Sequence, residues 1–405
     1  MSDFLPHDLL PDVLSRLPSK TLLRCACVCK SWYNLVINPS FITTHLNRSS
    51  LATNLLLIQS RSGDDAEEVH YSLLSCENET FCDYAELDLP LKTHTDPDLR
   101  IIGSCNGLVC LFNDFRYRVE LYLWNPSIRK TMALPPLRVT SHIPFMHSIE
   151  FGFDSVTRDY KVVSIVYIKD DSRDGYRIPP EVDIFSLSSG TWRNISHLAL
   201  PYTIYDRPPH AYLNGAAHWL ACDMANKFLH LIMSFHMGDE IFGEIMVPSS
   251  IFHGYGMVNV RVAKFQESLS LIDVCNWGNT CCCIWVMNEY GISESWTKKF
   301  NIDMSEGLFN SVIGFTRKGE VIFGTQAGYL VAYDPEAERV MDLHIRGPTK
   351  SWLGDLCYAD AYTESLVFLR GKFHDTVTCK ESLFCMEKLS RRKKRKADQT
   401  KKKGL

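Results

Sequence analysis

The fold of this chain is decided by a short pattern of strands around a tight turn near residue 106. The pattern reads Gly103-Ser104-Cys105-Asn106-Gly107-Leu108-Val109-Cys110-Leu111, and Leu121-Tyr122-Leu123-Trp124-Asn125-Pro126 follows after a polar gap. Asn-Gly is a favoured two-residue hairpin turn, because both positions accept a positive φ angle. Apolar segments on either side of such a turn are typical of strands. The stretch therefore predicts an antiparallel hairpin with a third strand beside it.

The same unit of strand, strand, turn and strand recurs along the rest of the chain. Trp124, Phe185, Phe235, Val286 and Tyr333 occupy equivalent positions, and the spacings between them are 61, 50, 51 and 47 residues. A repeat near this period is typical of propeller blades. A single small antiparallel sheet cannot bury both of its faces. We therefore expect the blades to stack in a ring.

The predicted fold class is α+β multidomain, with a short all-α segment followed by a large all-β domain of irregular, propeller-like (kelch-like) form. The predicted domains are residues 1–48, residues 49–387 and a disordered basic tail at 388–405. Residues 55–91 resemble one more blade, and Ser365-Leu366-Val367-Phe368-Leu369 is the predicted strand that completes the ring. The paired glycines of regular kelch repeats are absent, and an elongated β-sandwich is the alternative fold.

The first forty residues follow a helical period instead. One stripe of a 3.6-residue period carries Leu5, Leu9, Val13, Leu14 and Leu17. Pro18 is predicted to end this helix because it has no N–H, and Ser19 to cap a second helix. Trp32, Leu35 and Val36 line a third. Short helices cannot bury this much apolar surface among themselves, so we expect a partner to cover part of it.

The ordered motifs of this helical segment resemble the F-box, the module that docks a protein onto the Skp adaptor of Skp–cullin–F-box ubiquitin ligases. They are Leu5-Pro6, Leu9-Leu10-x-x-Val13-Leu14-x-x-Leu17-Pro18, Leu22-Leu23 and Val28-Cys29-Lys30-x-Trp32. An ordinary helical cap on a globular domain is the alternative, but such a cap does not require these motifs in this order. The resemblance implies that the packed helices or their adaptor face comprise Leu5, Pro6, Leu9, Leu10, Val13, Leu14, Leu17, Pro18, Leu22, Leu23, Val28, Lys30, Trp32 and Leu35.

A second resemblance covers roughly residues 100–370 and is to the type-one F-box-associated domain of plants. Its landmarks include Gly103-Ser104-Cys105-Asn106-Gly107-Leu108, Trp124-Asn125-Pro126-Ser127-x-Arg129-Lys130, Phe151-Gly152-Phe153-Asp154, Asn214-Gly215-x-x-His218-Trp219 and Tyr333-Asp334-Pro335. The resemblance implies that this domain is the half that recruits substrate. We interpret the landmarks themselves as turns, strand ends and buried tryptophans rather than binding residues.

Charge is distributed unevenly along the chain. Residues 388–405 carry ten Lys or Arg against Asp398 alone, which leaves a net charge of −13 on residues 1–387. An acidic body argues against a nucleic-acid-binding surface. The basic run of Arg391, Arg392, Lys393, Lys394, Arg395 and Lys396 suits a nuclear-import signal, although a solvated end accounts for it equally well. We expect the protein in both nucleus and cytoplasm.

The residues that carry chemistry do not form a catalytic or metal-binding pattern. The chain has 15 cysteines but no Cys-x-x-Cys, so we expect buried free thiols in a reducing compartment rather than a disulfide framework or a zinc site. Cys281, Cys282 and Cys283 lie in a predicted strand, where neighbouring side chains point to opposite faces. Gly103–Gly107 matches a nucleophile elbow with cysteine, but the following apolar run predicts a strand where that chemistry needs a helix. No secretory leader or membrane-spanning run is present. We predict an intracellular protein without catalytic residues, cofactors, metal or membrane insertion.

The predicted function is that of a non-catalytic substrate receptor in a Skp–cullin–F-box ubiquitin ligase. Its partners would be a Skp-type adaptor, through it a cullin, and a target protein. A stand-alone β-propeller scaffold or ligand-binding domain is the alternative, and a propeller enzyme is a third. Loops that combine aromatic residues with Arg or His are the predicted target-binding sites. Their candidate residues are Arg116, Tyr117, His142, Phe145, Tyr176, Tyr202, Tyr205, Arg207, His253 and Tyr255.

Overall fold

The structure of the chain is a computed structural model. It describes residues 9–52, 54–62, 68–77, 80–89, 99–113, 119–138, 145–169, 176–205, 211–223, 225–226, 229–251, 260–275, 281–304, 308–347 and 357–367. Among these residues, no helix is long and apolar enough to cross a membrane.

The N-terminal segment is helical, as the sequence predicts. Its helices are α1 (Leu10–Leu14), α2 (Ser19–Ala26), α3 (Lys30–Val36) and α4 (Pro39–Ala52). The predicted end of the first helix at Pro18 is wrong, because the chain tightens after Leu14 into a turn in which Leu17 N donates to Leu14 O at 3.0 Å. Helix α4 was not predicted, since its Ser, Thr and Asn residues favour caps and turns. It continues past the domain boundary predicted at residue 48.

The rest of the described chain forms antiparallel sheets that we name blades one to six in chain order. Blade two comprises β4 (Arg100–Cys105), β5 (Leu108–Asn113), β6 (Glu120–Asn125) and β7 (Lys130–Ala133). Blade three comprises β8 (Phe145–Asp154), β9 (Asp159–Ile168), β10 (Glu181–Ser186) and β11 (Thr191–Asn194). Blade four comprises β12 (Thr203–Tyr205), β13 (Ala211–Leu213), β14 (Ala216–Asp223), β15 (Leu229–His236) and β16 (Ile241–Met246). Blade five comprises β17 (Val260–Phe265), β18 (Ser268–Cys275), β19 (Cys281–Met287) and β20 (Trp296–Asp303). Blade six comprises β21 (Phe309–Phe315), β22 (Val321–Thr325), β23 (Tyr329–Asp334) and β24 (Arg339–Arg346).

Blade one joins the two ends of the all-β region and closes the ring. It comprises β25 (Tyr358–Tyr362) and the early strands β1 (Leu55–Ser62), β2 (Glu68–Glu77) and β3 (Thr80–Glu86). Strand β25 pairs antiparallel with β1, Tyr362 opposite Leu55, and runs parallel to β21 of blade six. The predicted closing strand at residues 365–369 is therefore wrong. Residues 363–367 are not a strand, and 368 and 369 lie outside the described residues.

The repeat read from the sequence corresponds to the blades. All five residues taken as equivalent lie in the third strand of the hydrogen-bonded order of their blade, in β6, β10, β15, β19 and β23, since β12 and β13 both pair with β14 at the inner edge of blade four. The Asn106-Gly107 turn is also confirmed, since it joins β4 to β5 with φ angles of 50° and 78°. In both cases the local pattern was sufficient, because period-two alternation and turn chemistry act within a few residues.

Packing between the blades makes the described chain a propeller rather than a β-sandwich. Buried apolar clusters lie between every two neighbouring blades, from blades one and two around to blades six and one. Each blade is thus covered on both faces by its neighbours, as the stacking argument required. Indole hydrogen bonds add to this packing: Trp192 Nε1 donates to Pro135 O at 2.8 Å and Trp296 Nε1 to Met246 O at 3.2 Å, both across a blade boundary.

Candidate functional site

The ring has two ends, which we call the helix face and the far face. The turns that lead from the inner edge of blades two to six into β5, β9, β14, β18 and β22 lie on the helix face, at residues 106–107, 155–158, 214–215, 266–267 and 316–320. Hydrogen bonds in or beside these turns join neighbouring blades. Phe153 N donates to Tyr212 Oη at 2.9 Å and Gln266 Nε2 to Lys318 O at 2.7 Å. Because strands alternate in direction, the links between blades lie on the far face.

The helical module packs against the helix face on the side of blades one and two. Leu14, Leu22 and Val36 form one buried cluster with Ile128 of blade two and with Leu366. Further from this cluster, Arg158 donates to Thr43 Oγ1 and Arg317 to Ser50 O. Arg158 is in the first turn of blade three and Arg317 in that of blade six, which are opposite blades of the ring. Helix α4 therefore runs across the helix face.

The fourteen residues implied by the F-box resemblance divide between an inner and an outer side. Leu14 and Leu22 are buried, whereas Leu10, Leu17, Leu23, Trp32 and Leu35 are half-buried in the same cluster. Leu9, Val13, Pro18, Val28 and Lys30 are exposed, with Leu9 at 55 %, Val13 at 45 % and Val28 at 65 %. Leu5 and Pro6 lie outside the described residues. The propeller thus covers one side of the helices, and exposed apolar side chains remain on the other.

An ion pair joins α1 to α4. Arg48 of α4 contacts Asp12 of α1 at 2.5 Å between Nη2 and Oδ1, and Arg16 contacts the same carboxylate at 2.9 Å. The hydrogen bond from Arg48 is the largest cause that lowers the pKa of Asp12, which keeps that carboxylate charged. The sequence analysis missed Arg48, because α2 and α3 separate it from its partner along the chain and neither residue belongs to the motifs of the resemblance.

The prediction that Ser19 caps α2 is wrong. Ser19 is the first residue of the helix rather than its N-cap, a position that Pro18 holds. The Ser19 N–H instead donates to Glu364 Oε2 at 3.0 Å, in a buried contact. A carboxylate at this position satisfies an end N–H and interacts favourably with the helix dipole. The acceptor comes from the other end of the chain, which no local motif could indicate.

Four of the ten candidate target-binding residues lie in the described part of the chain. Arg116, Tyr117, His142, Arg207, His253 and Tyr255 lie outside the described residues, as does the tail at Arg391–Lys396. The backbone of Phe145 begins β8, at the far-face end of that strand.

Two described candidates, Tyr176 and Tyr202, lie where blades three and four meet on the far face, whereas Tyr205 packs against the buried cluster between blades four and five. Tyr202 donates to Glu244 Oε1 at 2.7 Å, and this hydrogen bond raises the pKa of Tyr202 to about 12. Its backbone oxygen accepts from Tyr167 Oη at 2.8 Å, and the Tyr176 ring lies edge-on to Tyr167 at 6.3 Å. Tyr176 is 42 % exposed. Tyr205 was predicted in a loop but ends the short inner strand β12, where it is half-buried.

The inner strands of the blades surround a cavity of about 300 Å³ that is lined by Glu150, Lys264, Tyr358 and Asp360 among others. Burial raises the pKa of the Asp360 carboxyl. Cys105 also lines the cavity, and burial raises the pKa of its thiol to about 12. A nucleophilic cysteine needs a thiolate, and its elbow needs a helix after the turn. Here strand β5 follows, so the geometry is that of a hairpin.

The cysteine run in blade five forms a strand, as predicted. Cys281, Cys282 and Cys283 lie in β19, with Cys282 buried on one face and the other two sulfurs 4.0 Å apart on the opposite face. These three cysteines are free thiols. Within the described ranges, no group of His, Cys, Asp and Glu side chains could hold a metal ion.

The short helical module packs on the propeller and exposes apolar side chains on its outer side, which is the arrangement expected of an F-box protein with a propeller domain. The F-box domain model matches residues 3–44, and the F-box associated beta propeller domain model matches residues 64–367. The chain belongs to this family of F-box proteins with an F-box associated propeller. As a class, F-box proteins act in Skp–cullin–F-box ubiquitin ligases, where the F-box binds the Skp adaptor.

Plant relatives match over most of the chain. The F-box protein CPR1 of Arabidopsis thaliana is 27 % identical over 375 residues, covering 87 % of each chain. The F-box/kelch-repeat protein At3g23880 of the same plant is 27 % identical over 312 residues, covering 74 % of this chain and 79 % of its own. Among solved structures, TolB from Acinetobacter baumannii is similar with a TM-score of 0.44 and 12 % identity, over 80 % of this chain and 73 % of TolB.

Proposed function

We propose that this protein is the substrate-recognition subunit of a Skp–cullin–F-box ubiquitin ligase, and that its propeller recruits a target protein for ubiquitination and proteasomal degradation. The arrangement of the two faces is the observation that carries the proposal. The outer side of the helices, with Leu9, Val13 and Val28, is free to meet an adaptor. The far face lies at the opposite end of the ring, where a target would not compete with the adaptor for space.

Proximity is the proposed mechanism. The F-box binds the Skp adaptor, the adaptor binds a cullin, and the cullin carries the enzymes that transfer ubiquitin. Holding a target lysine near a charged conjugating enzyme raises its effective concentration without any catalytic group on the receptor. The protein itself is proposed to be non-catalytic, which agrees with the protonated, buried thiol of Cys105.

Two variants of the full chain test the proposal in opposite directions. Replacing Leu5 and Pro6 by Ala should abolish co-purification of the Skp adaptor and the cullin while captured target is retained. Replacing Tyr202, Tyr205 and Arg207 by Ala should have the reverse effect. Target is identified by affinity capture in plant cells with the proteasome inhibited. Failure of the wild-type chain to capture a cullin would favour the stand-alone scaffold.

The site of action is proposed to be both nucleus and cytoplasm. The support is the basic run at residues 391–396, which an import receptor could read through an acidic groove. At 46.3 kDa, the protein would enter the nucleus slowly without such a signal.

A further inference from the structure

A short strap, residues 363–367, follows the last strand and lies between the propeller and the helices. Blade two binds the strap on its propeller side. The buried Asn125 side chain donates from Nδ2 to Ser365 O at 3.1 Å and to Val367 O at 3.0 Å. Ser365 N donates to Ser127 Oγ at 3.2 Å. The Trp-Asn-Pro-Ser segment, which we interpreted as a turn, thus fixes the path of the strap.

The Asn-Gly turn of blade two meets the same strap. A Cβ atom at Gly107 would come within 2.1 Å of Ser365 Cβ and 2.6 Å of Thr363 O. Tyr362, the residue directly before the strap, donates to Gly107 O at 3.2 Å. Glycine is needed here both for its φ of 78° and for this close approach. The Trp-Asn-Pro-Ser segment and the Asn-Gly turn, which are separate in the sequence, therefore both contact the strap.

On its other side the strap completes the helical module. Glu364 accepts the Ser19 N–H at the start of α2, and Leu366 is fully buried against Leu22 and Val36. His45 of α4 lies close enough for the Glu364 charge to affect it. The strap thus supplies both a cap and a core residue to the helices. Without it, an end N–H of α2 would lose its partner and the core of the module would contain a cavity.

We propose that the strap is a positioning element that holds the F-box in its adaptor-binding form, so that adaptor binding depends on closure of the propeller ring. The strap begins where β25 ends, and β25 is the strand that pairs with β1 to close the ring. Opening that pairing would withdraw Glu364 and Leu366 from the helices together. The inference rests on the proposed docking to the adaptor, and it links a folded receptor domain to ligase assembly.

The test compares full-length Leu366→Ala and Glu364→Gln with Leu271→Ala. Leu271 is equally buried, but it lies in β18 of blade five, away from the helices. We expect Leu366→Ala to weaken binding of purified Skp adaptor at least tenfold, because only the fraction of molecules with ordered helices binds. Glu364→Gln should weaken it several-fold. Leu271→Ala should lower the melting temperature of the propeller but keep wild-type affinity.

Amide hydrogen exchange in α2 and α3, measured without adaptor, provides a readout that does not depend on docking. Both strap variants should exchange faster than the wild type in these helices, and Leu271→Ala should not. Wild-type exchange in both strap variants would overturn the proposal, and so would an equal loss of affinity in Leu271→Ala. If the wild-type chain fails to bind the adaptor, the proposed function fails, while the exchange comparison still decides the role of the strap.

Discussion

Replacing the exposed apolar side chains of the F-box should separate adaptor binding from stability. Leu9, Val13 and Val28 are 55 %, 45 % and 65 % exposed, although exposed positions in helical segments usually carry polar residues. Changing each of them to Ser should lower the free energy of unfolding by only about 0.5–1.5 kcal/mol, because about half or less of each residue's surface is buried in the folded chain. The same changes should weaken the Skp complex.

The expected size of the effect follows from these exposures. Full burial of a Val side chain stabilises by about 1.5–3 kcal/mol. An adaptor can bury at most the exposed 65 % of Val28, so Val28→Ser should cost about 1–2 kcal/mol of binding, or roughly 5- to 30-fold in Kd. The triple variant should lose about 3 kcal/mol, which exceeds a hundredfold.

Titration calorimetry with purified adaptor measures the affinity, and thermal unfolding monitors the fold. The matched control is Val340→Ser, since Val340 is 44 % exposed on β24 of blade six and should not contribute. Leu22→Ala is a second control, a substitution that should lower stability. Leu22 is fully buried, so its truncation should cost about 2–5 kcal/mol of stability. If the triple variant binds within twofold of the wild type, the outer side of these helices is not the adaptor surface.

Three further outcomes are expected. Burial lowers the pKa of His218 from 6.5 to about 4, so below pH 6.5 the unfolded chain takes up a proton that the folded chain does not. The free energy of unfolding should therefore fall by up to about 3 kcal/mol between pH 6.5 and 4, a loss that urea titrations should find reduced in His218→Gln. Replacing Tyr202, Tyr205 and Arg207 together should slow turnover of the captured target, and unchanged turnover would place target recognition elsewhere. Deleting residues 391–403 should shift the protein towards the cytoplasm by imaging, and an unaltered nuclear fraction would leave the tail as a solvated end.

Sequence reasoning succeeded where a few neighbouring residues decide the structure. The blade repeat, the Asn106-Gly107 turn and the strand of Cys281–Cys283 all follow from local alternation or turn chemistry. The error at residues 365–369 has the same origin. Leu366 and Val367 belong to an apolar run that is typical of a strand, yet Leu366 is buried against the helices instead. A local pattern indicates that a side chain is buried but not which surface buries it.

For the candidate sites too, the sequence predicted some features and only the structure revealed others. The F-box motifs indicated which helices would meet the adaptor, whereas burial alone assigned Leu14 and Leu22 to the inner side and Val28 to the outer side. The target-binding candidates were chosen by composition. Of those described, Tyr202 is held by Glu244 and Tyr205 is in a strand, which the composition of a loop could not indicate.

The sequence by itself determined the family, the helical and propeller-like parts and their order, because motifs and periodicity are properties of neighbouring residues. Only the tertiary structure decided how these parts meet. Glu364 caps a helix that begins at Ser19, Gly107 makes room for Ser365, and Tyr362 pairs with Leu55 to close the ring. Each of these contacts joins residues hundreds of positions apart. Their pairing depends on the closure of the whole ring, and no local pattern encodes that.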